Sequence, residues 1–128
     1  MPALNRVQLI GRLGKEPEMR TTNKGTRYAV FSVAVDHRWK TSSGEARKNT
    51  DWFNIEAWGR LGEVCLQYLR KGQLVFLEGR LHTDRYEQEG DTRYFTKVIA
   101  SAMQMLEWRG EEEPSEPVEE QLEPAPEG

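Results

Sequence analysis

Three of the four tryptophans fall between positions 39 and 58, in a stretch that is also rich in lysine and arginine. Flat aromatic faces can stack on unpaired bases, while fixed positive charges beside them neutralise phosphates. This combination of side chains is suited to binding an unpaired polynucleotide. The basic residues within or just beside the stretch are Arg38, Lys40, Arg47, Lys48 and Arg60.

The segment 50–58 alternates strictly between two sets of side chains. A period of two predicts a strand with two faces. Phe53 and every second residue after it are apolar and form the natural core face, so we expect Trp52 and Trp58 to be presented on the opposite face with polar neighbours. Because tryptophans are mostly buried, a second sheet or a subunit interface covering that face is the alternative.

The charge is divided unevenly along the chain. Residues 1–109 hold 18 Lys and Arg against 13 Asp and Glu, whereas residues 110–128 hold eight Glu and no basic residue. A chain of 128 residues has room for one modest domain. We therefore expect a basic folded domain at 1–109, suited to a polyanion, and a disordered Glu- and Pro-rich tail at 110–128. The tail could also serve solubility alone.

The single cysteine, Cys65, cannot form an internal disulfide and lies in an apolar helical pattern, which predicts a buried structural thiol. The first residues, Met1–Arg6, lack a basic region followed by an apolar stretch. The longest apolar runs are far too short to span a bilayer. We expect a soluble, cytosolic protein.

The periodicity of the remaining chain predicts five strands and one helix. Turn residues lie at 21–25 and 87–91, and the polar, basic segment 37–49 is predicted to be a long exposed loop carrying Trp39. The elements are strands at 7–14, 26–36 and 50–58, a helix at 60–71, and a hairpin of strands at 74–86 and 93–105. This order predicts an all-β, five-stranded OB barrel with one short helix between strands 3 and 4.

Catalytic patterns are weak throughout the sequence. His37 and His82 have no Cys or paired carboxylate at ligand spacing, so no metal site is expected. The acidic residues at 87–91 resemble metal ligands of a nuclease but fit a hairpin tip better, and no Ser or Cys lies in a nucleophile motif. We expect a binding protein that is not an enzyme and that needs no cofactor.

Several short motifs follow one another in an order that is specific, although each alone is weak. They are Asn5–Gly14, Pro17–Arg20, Trp52–Leu61, Tyr68–Gly72, Leu77–Gly79 and Met103–Leu106. Together they closely resemble the bacterial single-stranded DNA-binding proteins over roughly residues 4 to 107.

The resemblance implies an OB-fold homotetramer that binds and protects single-stranded DNA, whatever its sequence, during replication, recombination and repair in the bacterial cytoplasm and nucleoid. It also implies which aromatic residues stack on bases, namely Trp39, Trp52, Trp58 and Tyr86. Basic residues near these aromatics and loops are the candidates for phosphate contacts: Lys40, Lys48, Arg85, Arg93, Arg20 and Arg27.

The sequence departs from the family at two places. Members commonly end in several aspartates followed by Pro-Phe, which docks partner proteins, whereas the sequence here reads Glu123–Gly128. A charged tail without an apolar anchor binds weakly, so recruitment of replication and repair proteins through it is not expected. Members also often carry a polar residue at the subunit interface where this chain has Phe53, which leaves the oligomer geometry open.

Three other functions are compatible with the pattern. An OB-fold protein-interaction module would use the tryptophan face as an interface, and an OB-type nuclease would need a metal cluster. RNA is an alternative ligand, because stacking tolerates either sugar unless a group reads the 2′-hydroxyl.

Overall fold

The computed structural model describes residues 2–107 and the backbone of residues 118–119. In chain order, the elements are β1 (Val7–Leu13), β2 (Glu18–Thr21), β3 (Arg27–Lys40), β4 (Ala46–Trp58), α1 (Gly59–Tyr68), β5 (Leu74–Gln88), β6 (Asp91–Met105) and β7 (Val118–Glu119). The five predicted strands correspond to β1, β3, β4, β5 and β6. The short strands β2 and β7 were not predicted.

The five long strands close into a barrel in the order β1-β5-β6-β4-β3. The ring is completed where Arg12 and Leu13 of β1 pair with Ala34 and Val33 of β3. Neighbouring strands are antiparallel except β4 and β6, which are parallel. The predicted OB barrel, with its helix before the final hairpin, is therefore confirmed.

The barrel core is built from the inward side of each alternating strand. Large side chains that are almost completely buried include Val33, Ile55, Val75, Leu77, Val98 and Met103. On β3, Ala29, Phe31 and Val33 are buried, and the residues that alternate with them are only partly covered. Burial of this kind is the main favourable contribution to folding.

The helix α1 packs against β3 and β4 and buries Leu61, Val64 and Cys65. Burial raises the pKa of the Cys65 thiol to about 12, so the thiol stays protonated, as a structural cysteine should. The helix ends at Tyr68 rather than at the predicted 71, because Leu69 turns into extended backbone and enters the core. The part of the chain that the structure describes contains no helix with the length and hydropathy of a membrane span.

The predicted loop at 37–49 is wrong. Pairing of β3 with β4 continues from His37↔Asn49 to Lys40↔Ala46, and a short turn closes at Thr41, whose N–H donates to the Glu45 carbonyl over 2.9 Å. The segment extends past the barrel as a two-stranded ribbon with solvent on both faces. Its side chains are polar for that reason, while its backbone groups are satisfied across the ladder.

The β5–β6 hairpin has a two-residue loop, in agreement with the predicted tip at 87–91. Gln88 pairs with Asp91, and the loop residues Glu89 and Gly90 have φ angles of 53° and 82°. Two positive φ angles in a two-residue loop define a type I′ turn, which Asn-Gly favours. The loop sets the register of the hairpin, so that Tyr86 lies opposite Arg93.

The strained turn yields a stability prediction. Glu89→Asn should raise the free energy of unfolding by about 0.5 to 1 kcal/mol, because asparagine tolerates the left-handed conformation better than glutamate. Glu89→Gln is the matched control, since it removes the same charge without that preference. Chemical denaturation of the three proteins measures the difference, and equal stabilities of the two variants would contradict the explanation.

Of the tail, only residues 118–119 belong to the described structure. Val118 pairs with Met103, and Glu119 pairs with Ala102, at the free edge of β6. The predicted disorder over 110–128 otherwise concerns residues outside the described part, as does the chain end at 123–128.

Candidate nucleic-acid interface

Aromatic residues from β3, β4, β5 and β6 lie on one face of the sheet, outside the barrel core. Cross-strand pairing places Tyr28 opposite Trp58 and Ala34 opposite Trp52. The β5–β6 hairpin continues this face, because Lys97 of β6 contacts the Glu56 carboxylate of β4. We call it the aromatic face; its aromatic members are Tyr28, Trp52, Trp58, Tyr86 and Phe95.

Trp52 is the most exposed tryptophan that the structure describes, with 61% of its surface accessible. The six-membered part of its indole lies over Gly14, where an added Cβ would stand 2.6 Å from Trp52 Cζ3. The Gly14 N–H donates to the Ser32 carbonyl over 3.0 Å, which holds the end of β1 beneath the ring. Glycine at 14 thus lets the indole rest on backbone while its outer surface stays open.

The alternation of the strand predicts that Trp58 is exposed beside Trp52, but the structure shows it buried. It shares the face, but only 1% of its surface is accessible. Tyr28 stacks on its ring with centroids 4.0 Å apart and an angle of 13° between the planes. Its indole Nε1 donates to Glu56 Oε1 over 2.9 Å. The predicted exposure is wrong because the neighbouring strand supplies a large ring directly opposite.

A buried ion pair lies next to this stacked pair. Lys97 Nζ contacts Glu56 Oε2, and it lies 3.0 Å from Asp84 Oδ2, while Asp84 Oδ1 lies 3.1 Å from His82 Nε2. Hydrogen bonding from Lys97 lowers the pKa of Asp84. Burial lowers the pKa of Lys97, but the hydrogen bonds to Glu56 and Asp84 outweigh it and the pKa is raised. Lys97 and Asp84 are therefore both charged at neutral pH.

Asp84→Asn should lower the free energy of unfolding at pH 7 by about 1 kcal/mol. The folded-state pKa of Asp84 is below its unfolded value, so its stabilisation is present above that unfolded value, about 3.9, and is lost as the pH falls below it. The difference in free energy of unfolding between the wild type and Asp84→Asn should therefore shrink as the pH falls below that value.

Asp91→Asn is the control for this prediction, because Asp91 is an exposed carboxylate that forms no ion pair with the described residues. Urea denaturation at several pH values measures the gap. A gap for Asp84→Asn that stays constant down to pH 3 would contradict the assignment.

The β5–β6 hairpin adds two aromatic rings to the face, Tyr86 and Phe95, each 44% exposed. Arg93 lies opposite Tyr86 and Phe95 lies opposite Asp84. Sequence reasoning missed Phe95 and Tyr28. Placing Glu89 and Gly90 in a two-residue turn would have aligned Phe95 with Tyr86, because that turn sets the register of both strands.

Trp39 lies on the other side of the β3–β4 ribbon. It is 44% exposed and packs on His37, with ring centroids 5.4 Å apart. Trp39 pairs with Arg47. Both are at odd-numbered positions of the ribbon, whereas the side chains that face the same way as Trp52 are at even-numbered positions. The ribbon therefore carries aromatic or basic groups on both of its sides.

The six basic candidates divide between the two sides of the sheet. Lys40 and Lys48 of the ribbon, Arg93 and Arg20 alternate in phase with the aromatic face, whereas Arg27 and Arg85 alternate out of phase with it. Two of them are engaged at the surface: Lys48 Nζ lies 3.7 Å from Asp36 Oδ2, and Arg20 Nη2 lies 3.4 Å from Glu18 Oε2. Exposed pairs of this kind contribute little energy and can be exchanged for phosphate.

The polar groups of the face do not form a metal centre. Within residues 2–107, no three His, Cys, Asp or Glu side chains converge as metal ligands do. The chemistry that the face offers is stacking on flat rings and attraction of anions, both of which suit an extended polymer of bases and phosphates.

The closed five-stranded barrel, with one helix between its third and fourth long strands, places the chain in the class of OB folds. The chain belongs to the single-strand binding protein family, whose family model matches residues 4–106. This confirms the resemblance inferred from the ordered motifs.

Named relatives and a solved structure agree with this assignment. The chain is 44% identical over 105 residues to single-stranded DNA-binding protein 1 of Chlorobaculum tepidum, covering 80% of this chain and 65% of that protein. It is 40% identical over 119 residues to the single-stranded DNA-binding protein of Neisseria meningitidis serogroup A, covering 92% and 68%. The structure of a Plasmodium falciparum SSB in complex with ssDNA matches with a TM-score of 0.77 and 31% identity, covering 84% of this chain and 98% of that chain.

Proposed function

We propose that this protein binds single-stranded DNA without sequence preference, protects it during replication, recombination and repair, and has no catalytic activity of its own. The observation that carries the proposal is the open ring of Trp52 on a face that also holds Tyr86 and basic side chains. The names of the relatives and the solved complex with ssDNA point to the same ligand. The proposed setting is the bacterial cytoplasm, at the nucleoid.

In this proposal the bases stack on Trp52 and Tyr86, and Trp39 stacks on a base where the strand crosses the ribbon. Each stacked base contributes about 1 to 3 kcal/mol in comparable proteins. Every base has a flat π surface, so stacking carries no sequence preference. Trp58, buried beneath Tyr28, contributes by supporting that ring.

Phosphates are neutralised in this proposal by the basic candidates, which makes the affinity salt-dependent. Lys48→Ala should reduce the slope of log affinity against log salt concentration by about 0.7, the counterion release for one phosphate of a single strand. Lys24→Ala, in the turn between β2 and β3, is the control and should leave the slope unchanged. Fluorescence anisotropy at several salt concentrations gives both slopes, and equal slopes would remove Lys48 from the phosphate path.

The ligand class is tested by competition. A labelled oligo-dT bound to the wild-type protein should be displaced equally well by a mixed-sequence single strand and far less well by its duplex. Oligo-rU added as a third competitor shows whether the sugar matters. Preference for the duplex, or no binding of any strand, would contradict the proposal.

We propose in addition that the protein acts as a homotetramer, around which the strand wraps. Phe53 is an apolar residue, half-buried in the protomer, at the position where the family resemblance implies a subunit interface. Native mass measurement with oligo-dT of increasing length gives the number of protomers and of bound strands together. A monomer at all lengths would contradict the tetramer without affecting the ligand.

A further inference from the structure

Beyond Trp52, the aromatic face contains a cleft of about 200 Å³. Tyr28 and Phe95 line it together with Asn54 and the Glu56–Lys97 ion pair, and the charged side chains of Lys15, Glu16, Glu18 and Arg20 line it as well. None of these except Arg20 was a candidate from the sequence. Asn54, which lines the cleft, is two residues from Trp52 on the same face of β4, so the cleft adjoins the proposed stacking surface.

Tyr28 is the aromatic residue of β3 that lines this cleft. One side of its ring is covered by Trp58, at a centroid distance of 4.0 Å, and the half-buried ring lines the cleft. Two parallel stacked rings leave the outer ring ready to accept a third flat group at the same spacing. Trp58 therefore supports the Tyr28 ring from below, and Tyr28 is the ring that a base can reach.

The ring beneath Tyr28 is held by hydrogen bonds. Trp58 Nε1 donates to Glu56 Oε1, and the other Glu56 oxygen contacts Lys97, which also contacts Asp84. The ring that Tyr28 rests on is thus held by a buried charged network spanning β4, β5 and β6. A platform that is already ordered loses little side-chain entropy when a ligand binds.

The cleft also offers groups for the edge of a base and for its phosphate. The Asn54 side chain is exposed and makes no hydrogen bond with the residues that the structure describes, so its amide can both donate and accept. Lys15 likewise forms no ion pair within residues 2–107. Glu16 and Glu18 also line the cleft, and each is paired with an arginine: Glu16 Oε2 lies 3.9 Å from Arg70 Nε, and Glu18 Oε2 lies 3.4 Å from Arg20 Nη2. Lys15 is thus the lining cation open to the phosphate of a bound nucleotide, and Arg20 can exchange its exposed pair with Glu18 for phosphate.

We propose that this cleft holds one nucleobase of the bound single strand, stacked on Tyr28, with Asn54 at the edge of the base and Lys15 and Arg20 at its phosphate. Tyr28 takes the stacking role that sequence reasoning assigned to Trp58, and Trp58 is a positioning residue. This inference rests on the proposed binding of single-stranded DNA. Strand positions 28 and 52 lie about 20 Å apart along the sheet, at about 3.3 Å per residue, so the base is distinct from the one on Trp52.

Substitution of Tyr28 tests the proposal. Tyr28→Leu keeps an apolar cover over Trp58 but removes the aromatic plane, and it should weaken oligo-dT binding at least about fivefold. Tyr28→Phe keeps the plane and should bind like the wild type. Tyr94→Leu is the matched control, because Tyr94 is 66% exposed on the opposite side of the β5–β6 hairpin, and it should leave the affinity unchanged.

Photo-crosslinking of the wild-type protein to oligo-dT containing 5-iodouracil provides a readout that does not depend on a variant folding. An adduct on Tyr28, located by peptide mass measurement, supports the proposal. Adducts confined to other aromatic residues, or wild-type affinity of Tyr28→Leu while Trp52→Ala binds weakly, would overturn it and leave the proposed function standing. Failure of the wild type to bind oligo-dT at all would overturn both.

Discussion

Replacing Trp52 and Tyr86 together with alanine should weaken the binding of oligo-dT by about 2 to 6 kcal/mol, since each stacked base contributes about 1 to 3 kcal/mol. Both rings are open to solvent, with 61% and 44% of their surfaces accessible. Neither belongs to the buried core, so the loss should appear in binding and leave the fold intact. Anisotropy titration with a labelled strand measures the affinity, and thermal unfolding measures the fold.

Tyr94→Ala is the control for this pair, because it removes a ring that is 66% exposed from the other side of the hairpin. Its affinity for oligo-dT should equal that of the wild type. If the double variant is folded and binds as tightly as the wild type, the aromatic face is not the stacking surface. If Tyr94→Ala loses as much affinity for oligo-dT as the double variant, stacking is not confined to the aromatic face.

The largest effect on stability is expected at the buried ion pair. Lys97→Met should lower the free energy of unfolding by about 3 to 5 kcal/mol, because it leaves the Glu56 carboxylate buried without its cation. Methionine matches the lysine stem in length, so little of the loss comes from a cavity. Denaturant unfolding at pH 7 gives the magnitude.

A second substitution separates the charge effect from packing. Glu56→Gln combined with Lys97→Met removes both charges, and the glutamine oxygen can still accept the hydrogen bond from Trp58 Nε1. The double variant should therefore recover most of the stability lost by Lys97→Met alone. If the double variant is less stable than either single variant, the ion pair is not the reason for the loss.

The strands of the barrel could be predicted from the sequence because burial imposes a period of two. Ile55 and Val33 alternate with partly covered or polar neighbours, so both the element and its inner face follow from the pattern. The helix was also found, but its end was missed by three residues. Leu69 fits the helical repeat, yet it is buried as extended chain beyond the helix.

The site was harder to predict because alternation identifies a face but does not show what covers it. Trp58 and Trp52 occupy equivalent positions in the pattern, and they differ only in the residue opposite each, Tyr28 or Ala34. That difference depends on the register between β3 and β4, which requires knowing that 37–49 forms a hairpin. The polar sequence of the ribbon predicts a loop, and a loop does not define the register between the two strands.

The ion pair of Glu56 and Lys97 could not be predicted from the sequence either, because it depends on how the strands pair. Glu56 and Lys97 are far apart in the chain, and each alone is typical of a solvent-exposed strand position. They meet because β4 and β6 pair in parallel at Glu56↔Ile99, next to Lys97. A contact of this kind follows from barrel closure, which no local pattern encodes.

The most direct test of the central claim is titration of the intrinsic tryptophan fluorescence with oligo-dT and with a duplex of the same length. Stacking of bases on the open ring of Trp52 should quench the emission strongly and saturably with the single strand, and Trp52→Phe should remove most of that change. The duplex should have little effect. Unchanged emission at oligo-dT concentrations that saturate an independent binding assay would contradict stacking on the aromatic face.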